Sequence, residues 1–226
     1  MSVRTAMKKF FDDMLEAYSK TEEKFPISPK IEEEDLLVYV GKNDKDGWIR
    51  WKPVKREKNA PGEEKVGMYI EEPIYTYTNF QEEPFITYKW KPVEKHKIHD
   101  FKDIEDEFKV KIHDDVKEFF NSYWFIEINA LGEDYDVRLD GIVPNLELEQ
   151  FRETLREYAD EHNGELKYTP LGIEDNGEIV VVENETGNVK FEDYDAERYI
   201  IVADNLEEFI LKSKPEVIDK TGVRVW

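Results

Sequence analysis

Cysteine is absent from the 226 residues, and disulfides, thiolate metal sites and thiol nucleophiles are absent with it. No run approaches the roughly 20 apolar residues that a membrane-spanning helix needs. Nothing after Met1 resembles a secretory signal, because Lys8 and Lys9 are followed by amphipathic spacing and not by an apolar stretch. A glycine-rich phosphate loop and a Gly-x-Ser-x-Gly elbow are both missing. Histidine is confined to His96, His99, His113 and His162. These absences lead to the expectation of a cytoplasmic protein that inserts in no membrane. They also lead us to expect no enzymatic activity, catalytic residue, cofactor, metal or small-molecule substrate.

Acid is what the chain has in excess. Its 53 Asp and Glu stand against 32 Lys and Arg, a formal net charge of −21. The excess is lopsided: residues 1–100 hold 18 basic and 20 acidic side chains, whereas residues 101–226 hold 14 and 33. Such a field repels nucleic acid and anionic membranes and attracts basic proteins. Aromatic residues at 13% are plentiful for so charged a chain, which argues for a packed core over disorder.

Val3, Met7, Phe10, Met14 and Tyr18 recur at helical spacing, predicting an amphipathic helix from Ser2 to about Lys24, ended by Pro26 and Pro29. Leu36–Val40 and Trp48–Val54 read as strands of a hairpin around Lys42–Gly47. Asp44 and Asp46 before Gly47 resemble the start of a calcium loop, but the later bidentate Glu is missing, which favours a plain turn. Residues 55–67 read as an exposed loop. Trp51-Lys52-Pro53-Val54 recurs as Trp90-Lys91-Pro92-Val93, each copy behind an aromatic extended segment, so 36–93 reads as two similar hairpins elaborating a single domain of 1–226. His96, His99 and Asp100 crowd three possible metal ligands into an apparent linker, with no fourth at standard spacing.

Phe101, Ile104 and Phe108 give a short helix after Asp100. Val116, Phe119, Phe120 and Tyr123 form the stripe of another, for which Asp114 or Asp115 would serve as N-cap, His113 helping to begin it. The period then switches to that of a strand from Tyr123 to Leu131. Gly132-Glu133-Asp134 is a turn, and Tyr135–Asp140 alternates apolar and charged. Leu148, Phe151, Leu155, Tyr158 and Ala159 trace a helix stopped by Gly164. Strands follow at 166–173, 178–183, 189–191 and 198–202, the first two joined by the hairpin signal Asp175-Asn176-Gly177. Asp204 and Glu207 suggest the capping box of a last helix over Leu206, Phe209 and Ile210, stopped by Pro215. The fold class expected is α+β, a mostly antiparallel twisted sheet with helices packed on one face.

The run from His113 through Trp124 to Leu131, together with Tyr199-Ile200-Ile201-Val202-Ala203-Asp204-Asn205-Leu206-Glu207-Glu208-Phe209-Ile210, resembles the Syd branch of the SUKH superfamily, with 100–213 the best-matching core. The resemblance implies a non-enzymatic protein-binding module. Two family roles come with it: an immunity protein that neutralises a basic toxin domain, or a Syd-like protein that docks on basic cytoplasmic loops of the SecY translocon. The first hundred residues depart most from the shorter Syd proteins.

The acidic positions beside the expected sheet are the candidate partner-binding set: Glu133, Asp134, Tyr135, Asp136 and Asp140; Glu174, Asp175 and Glu178; Glu192, Asp193, Tyr194 and Asp195. Like charges on one surface repel each other unless a basic partner relieves them. An ordinary solvated face is the bland alternative, and Tyr135 and Tyr194 are either contact residues or half-buried packing. The competing class is an enzyme with an acidic carboxylate cleft, which a sheltered carboxylate pair with room for substrate would support.

Overall fold

The first helix holds its N-terminus by two devices. In this computed structural model, which describes residues 2–21, 24–29, 38, 76–78, 84–218, 224 and 225, helix α1 runs Val3–Ser19. Ser2 caps it by accepting from the Thr5 amide. The Glu118 carboxylate, from elsewhere in the chain, accepts from the Val3 and Arg4 amides. Charge on an acceptor suits the positive end of the helix dipole. The helix stops short of the expected Lys24: the hydroxyls of Ser19 and Thr21 donate to the carbonyls of Glu16 and Tyr18 and close the last turn well before Pro26.

Strands β1 (Ile27–Pro29), β2 (Thr76–Thr78) and β3 (Pro84–Lys89) form a small antiparallel sheet in the order β1-β3-β2. The expected aromatic hairpin before Trp90 is thus partly seen as β2 and β3, with β1 as an unforeseen third strand. The hairpin expected over Leu36–Val54 and the loop over 55–67 lie outside the described residues, Val38 excepted.

The main sheet begins with β4 (Val93–Glu94) and continues after α2 (Lys102–Phe108) and α3 (Asp114–Phe120) with β5 (Tyr123–Leu131) and β6 (Asp136–Ile142). Helix α4 (Glu147–Glu161) leads to β7 (Tyr168–Glu174), β8 (Ile179–Glu183), β9 (Val189–Asp193) and β10 (Arg198–Ala203). Helix α5 (Leu206–Lys212), β11 (Lys214–Pro215), β12 (Val217–Ile218) and β13 (Arg224–Val225) complete the order, the last two pairing with each other. The sheet order is β10-β9-β8-β7-β6-β5-β11, antiparallel throughout, with β4 beside the start of β5. The α+β reading holds, and with it the antiparallel sheet.

Two caps differ from expectation by a residue or two. His113, not Asp114 or Asp115, is the N-cap of α3, its Nδ1 accepting from the Asp115 amide. Asn205, not Asp204, caps α5, accepting from Glu208 N–H while the Glu208 carboxylate reaches back to the Asp204 amide. Both chain segments enter their helix in an extended conformation, and that geometry selects the cap.

The core lies chiefly between the sheet and helices α1, α3 and α5. Phe11 packs on Tyr123 and Phe125, and Phe119 packs on Phe120 and Phe125. Helix α4 lies on the opposite face, where the expectation had helices on one face only: Phe191 meets Tyr135, which stacks on Phe209 of α5, whereas its neighbour Glu192 bonds Tyr158 of α4. Successive strand residues point to opposite faces, so the two helices are on different sides. Gly172 allows β7 close against β6, since a Cβ there would stand 2.1 Å from the Arg138 carbonyl oxygen.

Candidate protein-binding surface

Antiparallel strands joined by short turns bring alternate turns to the same end of a sheet. The β5–β6, β7–β8 and β9–β10 turns therefore share one end, and these are the turns that carry the acid. The Asp175 amide donates to the Asp136 carbonyl at 2.9 Å, tying the first to the second. Arg198 lies 2.9 Å from Asp193 and 3.8 Å from Glu178, tying the second to the third. Glu133, Asp134, Asp175, Tyr194 and Asp195 are exposed there, and Asp136, Glu178 and Asp193 are half-buried.

Four of the candidate residues are placed otherwise than a common exposed face requires. Glu174 is buried and accepts from the amide of Asn176, shaping its own turn. Glu192 is buried and held by internal donors. Tyr135 is a packing residue, between Phe191 and Phe209. Asp140 sits within β6 opposite Glu127, away from the turns. Nor do Asp134, Asp136 and Asp140 make one run of acid: Asp134 is in the turn, and Arg138 stands between the other two on the same side of β6. Apolar-charged alternation alone could not show which acids the tertiary fold would enclose.

Beside the third turn is a cleft of about 530 Å³, walled by Tyr158, His162, Tyr168, Tyr194 and Tyr199, with Glu192 at its inner side. Glu192 accepts from Tyr158 at 2.6 Å, from Tyr199 at 2.7 Å and bonds the His162 ring. Burial, with the Glu192 charge beside them, raises both tyrosine hydroxyls above the ordinary phenol range, so both stay protonated donors. The rim carries Glu161, Glu165, Asp195 and Glu197 with Lys167. The C-terminal end of α4 points here and adds the negative end of a helix dipole.

A second buried cluster was not visible in the sequence. Glu147 Oε1 accepts from Lys95 Nζ at 3.3 Å, His99 Nε2 at 2.7 Å and Trp124 Nε1 at 3.0 Å. Burial works to raise the Glu147 carboxyl, but these donors and its own backbone amide outweigh it and hold the group below its ordinary value. Burial lowers Lys95 and His99. The expected linker around His96 is thus anchored through His99, while His96 is exposed. Among the described residues no group of three His, Asp or Glu is arranged to hold a metal ion, and none of the helices there is long and apolar enough to cross a membrane. A third acidic site lies within the β5–β6 ladder, where Glu127 and Asp140 are direct cross-strand partners. Crowding out of water raises both carboxyls, with Arg138 opposing.

In comparison with known families, residues 61–155 match the model described as Syd protein (SUKH-2). The matched stretch takes in α2, α3, β5, β6 and the first part of α4, and it includes the aromatic run His113–Leu131. Tyr199–Ile210 lies beyond it. Over residues 61–155, then, the chain is similar to the Syd protein (SUKH-2) family.

Proposed function

We propose that this chain is a non-enzymatic protein-binding module of the cytoplasm that presents the acidic end of its sheet to a basic protein, as an immunity protein neutralising a basic toxin domain. The observation that carries this reading is the gathering of three acidic turns, 132–136, 174–178 and 193–197, at one sheet end. Exposed carboxylates set side by side gain from a cationic partner what they lose by mutual repulsion. The family match supports protein binding as the class of activity. Glu192, the buried carboxylate of the tyrosine-lined cleft, already accepts from three donors, which favours a structural role there over acid–base chemistry.

A second reading has the match to Syd in its favour: the basic partner would be the cytoplasmic loops of SecY. Both readings use the same surface, and one experiment separates them. A basic toxin domain encoded beside the gene, and synthetic peptides of the SecY loops, are titrated into the protein at two salt concentrations. The on-rate of the true partner falls steeply as the screening length shrinks from about 30 Å at 0.01 M salt to about 10 Å at 0.1 M. Converting Glu133, Asp134, Asp175 and Asp195 to Lys weakens it severely and leaves the melt intact. Unchanged affinity in that variant at low salt would sink the proposal. Binding of the loop peptides alone would give preference to the SecY reading.

A further inference from the structure

Strand β10 ends the main sheet, and among the described residues nothing pairs with its outer edge. Its sequence, Arg198-Tyr199-Ile200-Ile201-Val202-Ala203, has one charge, at its start, and no proline or lysine. Ile200 is 41% exposed and Ile201 58% exposed. They point to opposite faces, since Ile200 is the partner of Phe191 and Ile201 of Lys190. Soluble proteins guard such edges with charge, proline or short strands, because the free N–H and C=O groups accept another strand. Here the guard is slight, a register shift between Ile201 and Ala203. Carboxylates frame the strand at both ends: Asp193, Asp195 and Glu197 before it, Asp204, Glu207 and Glu208 after it.

We infer that β10 is a docking edge, which takes an extended segment of the protein partner as an added antiparallel or parallel strand, apolar at its centre and basic at its flanks. Backbone hydrogen bonds would supply affinity, and the isoleucines on the two faces would read alternate side chains of the incoming strand. The carboxylates at both ends select basic flanks by charge. They also argue against a second copy of this chain as occupant: two edges brought together would join acidic termini on molecules that each carry a net −21. The basic character of the segment rests on the function proposed above; the open edge does not.

The test uses the full chain and a phage-displayed library of random twelve-residue peptides. Selection on the wild type, with counter-selection on an Ile200→Lys, Ile201→Lys variant, should enrich peptides with β-branched centres flanked by Lys or Arg. Synthesised, these should slow hydrogen exchange at β10 amides and bind the double variant at least tenfold more weakly. Because both positions are exposed, the variant should melt with the wild type; should it not, a single Ile201→Lys variant replaces it. Peptides that bind while β10 exchange is unchanged would overturn the docking edge. So would a dimer in sedimentation that the double variant abolishes, which would make a second copy the occupant. Protection of β10 that is indifferent to salt and to the four-Lys turn variant would leave the edge standing and defeat the basic-partner reading. Salt-dependent binding that the turn variant abolishes, with β10 unprotected, would do the reverse.

Discussion

Lys95 and Glu147 form an ion pair from which water is excluded: Nζ stands 3.3 Å from Oε1, with side-chain exposures of 0% and 4%. The pair joins the segment after β4 to the first turn of α4, and the Trp124 indole and His99 ring complete it. Lys95 Nζ also lies 5.2 Å from the centre of the Trp124 ring.

Breaking such a pair from one side leaves the other charge buried and unmatched, typically at a cost of about 3–5 kcal/mol. Glu147→Gln should therefore destabilise the protein by an amount of that order, read as a lower urea midpoint with an unchanged slope. Replacing both charges, Lys95→Met with Glu147→Leu, should recover much of the loss, although Trp124 and His99 then lack their acceptor. A single Glu147→Gln variant as stable as the wild type would show the pair to be less enclosed than its geometry states.

His99 supplies a pH signature at the same site. Burial, and the nearby Lys95 and Lys97 charges, lower the ring's affinity for a proton, and Glu147 only partly opposes them. The unfolded chain then takes up a proton near pH 6.5 while the folded one does not, so stability should fall as pH drops through about 6.5. Glu147 acts in the same direction further down: its folded value is depressed, and its contribution is lost as pH falls below about 4.5. Melts at pH 7.5, 6.5 and 5.5 should slope downward. A His99→Gln variant, less stable at neutral pH, should show a flatter slope; an equal slope would assign the effect to other groups.

Much of the sheet was legible because its residues obey simple periods. Tyr123–Leu131, Asp136–Ile142 and the turn at Gly177, with φ at +92°, follow from alternation and from a turn that favours glycine. The three acidic turns were legible as separate clusters, and antiparallel pairing then explains why they meet. What the sequence could not reveal is which charges would be enclosed. Glu192 and Asp193 look alike in a strand, yet one faces α4 and the other Arg198. Lys95, His99 and Glu147 come together from positions up to 52 residues apart, and no local spacing marks them. The isoleucines of β10 carry the pattern of a buried strand; their exposure follows from a place at the sheet edge.

Tyr158 tests whether the cleft carboxylate is structural. Its hydroxyl donates to Glu192 within the core, and a hydrogen bond to a charged group is worth about 1.5–3 kcal/mol. Tyr158→Phe should cost about that much, or roughly 2–4 °C of melting temperature per kcal/mol for a chain of this size. Tyr199→Phe should cost less, since Tyr199 is only half-buried and water can replace its bond. Equal melts for wild type and Tyr158→Phe would mean that Glu192 is satisfied without it.

Glu127 and Asp140 make the opposite prediction, a gain on removal. They are direct cross-strand partners in β5 and β6, an arrangement in which like charges repel by roughly 0.2–1 kcal/mol. Partial loss of hydration raises both carboxyls above their ordinary values, less decisively for the exposed Asp140 than for the half-buried Glu127, and Arg138 offsets this only in part. A raised folded value means that the folded chain binds protons more readily than the unfolded one. The penalty is therefore present at neutral pH and is relieved as pH falls through the folded values. Glu127→Gln and Asp140→Asn should each stabilise the protein at pH 7 by a few tenths to about 1 kcal/mol. The gain over wild type should shrink as the pH falls through the raised folded values, where the wild-type carboxyls take up protons themselves. The double variant should gain less than the sum, because the first substitution already removes their mutual repulsion. Urea titrations of the four proteins at pH 7 and pH 4.5 provide the measurement. A loss of stability at pH 7 in both single variants would show that Arg138 more than compensates the pair, making this part of the sheet an internal ion-pair network rather than a site of electrostatic strain.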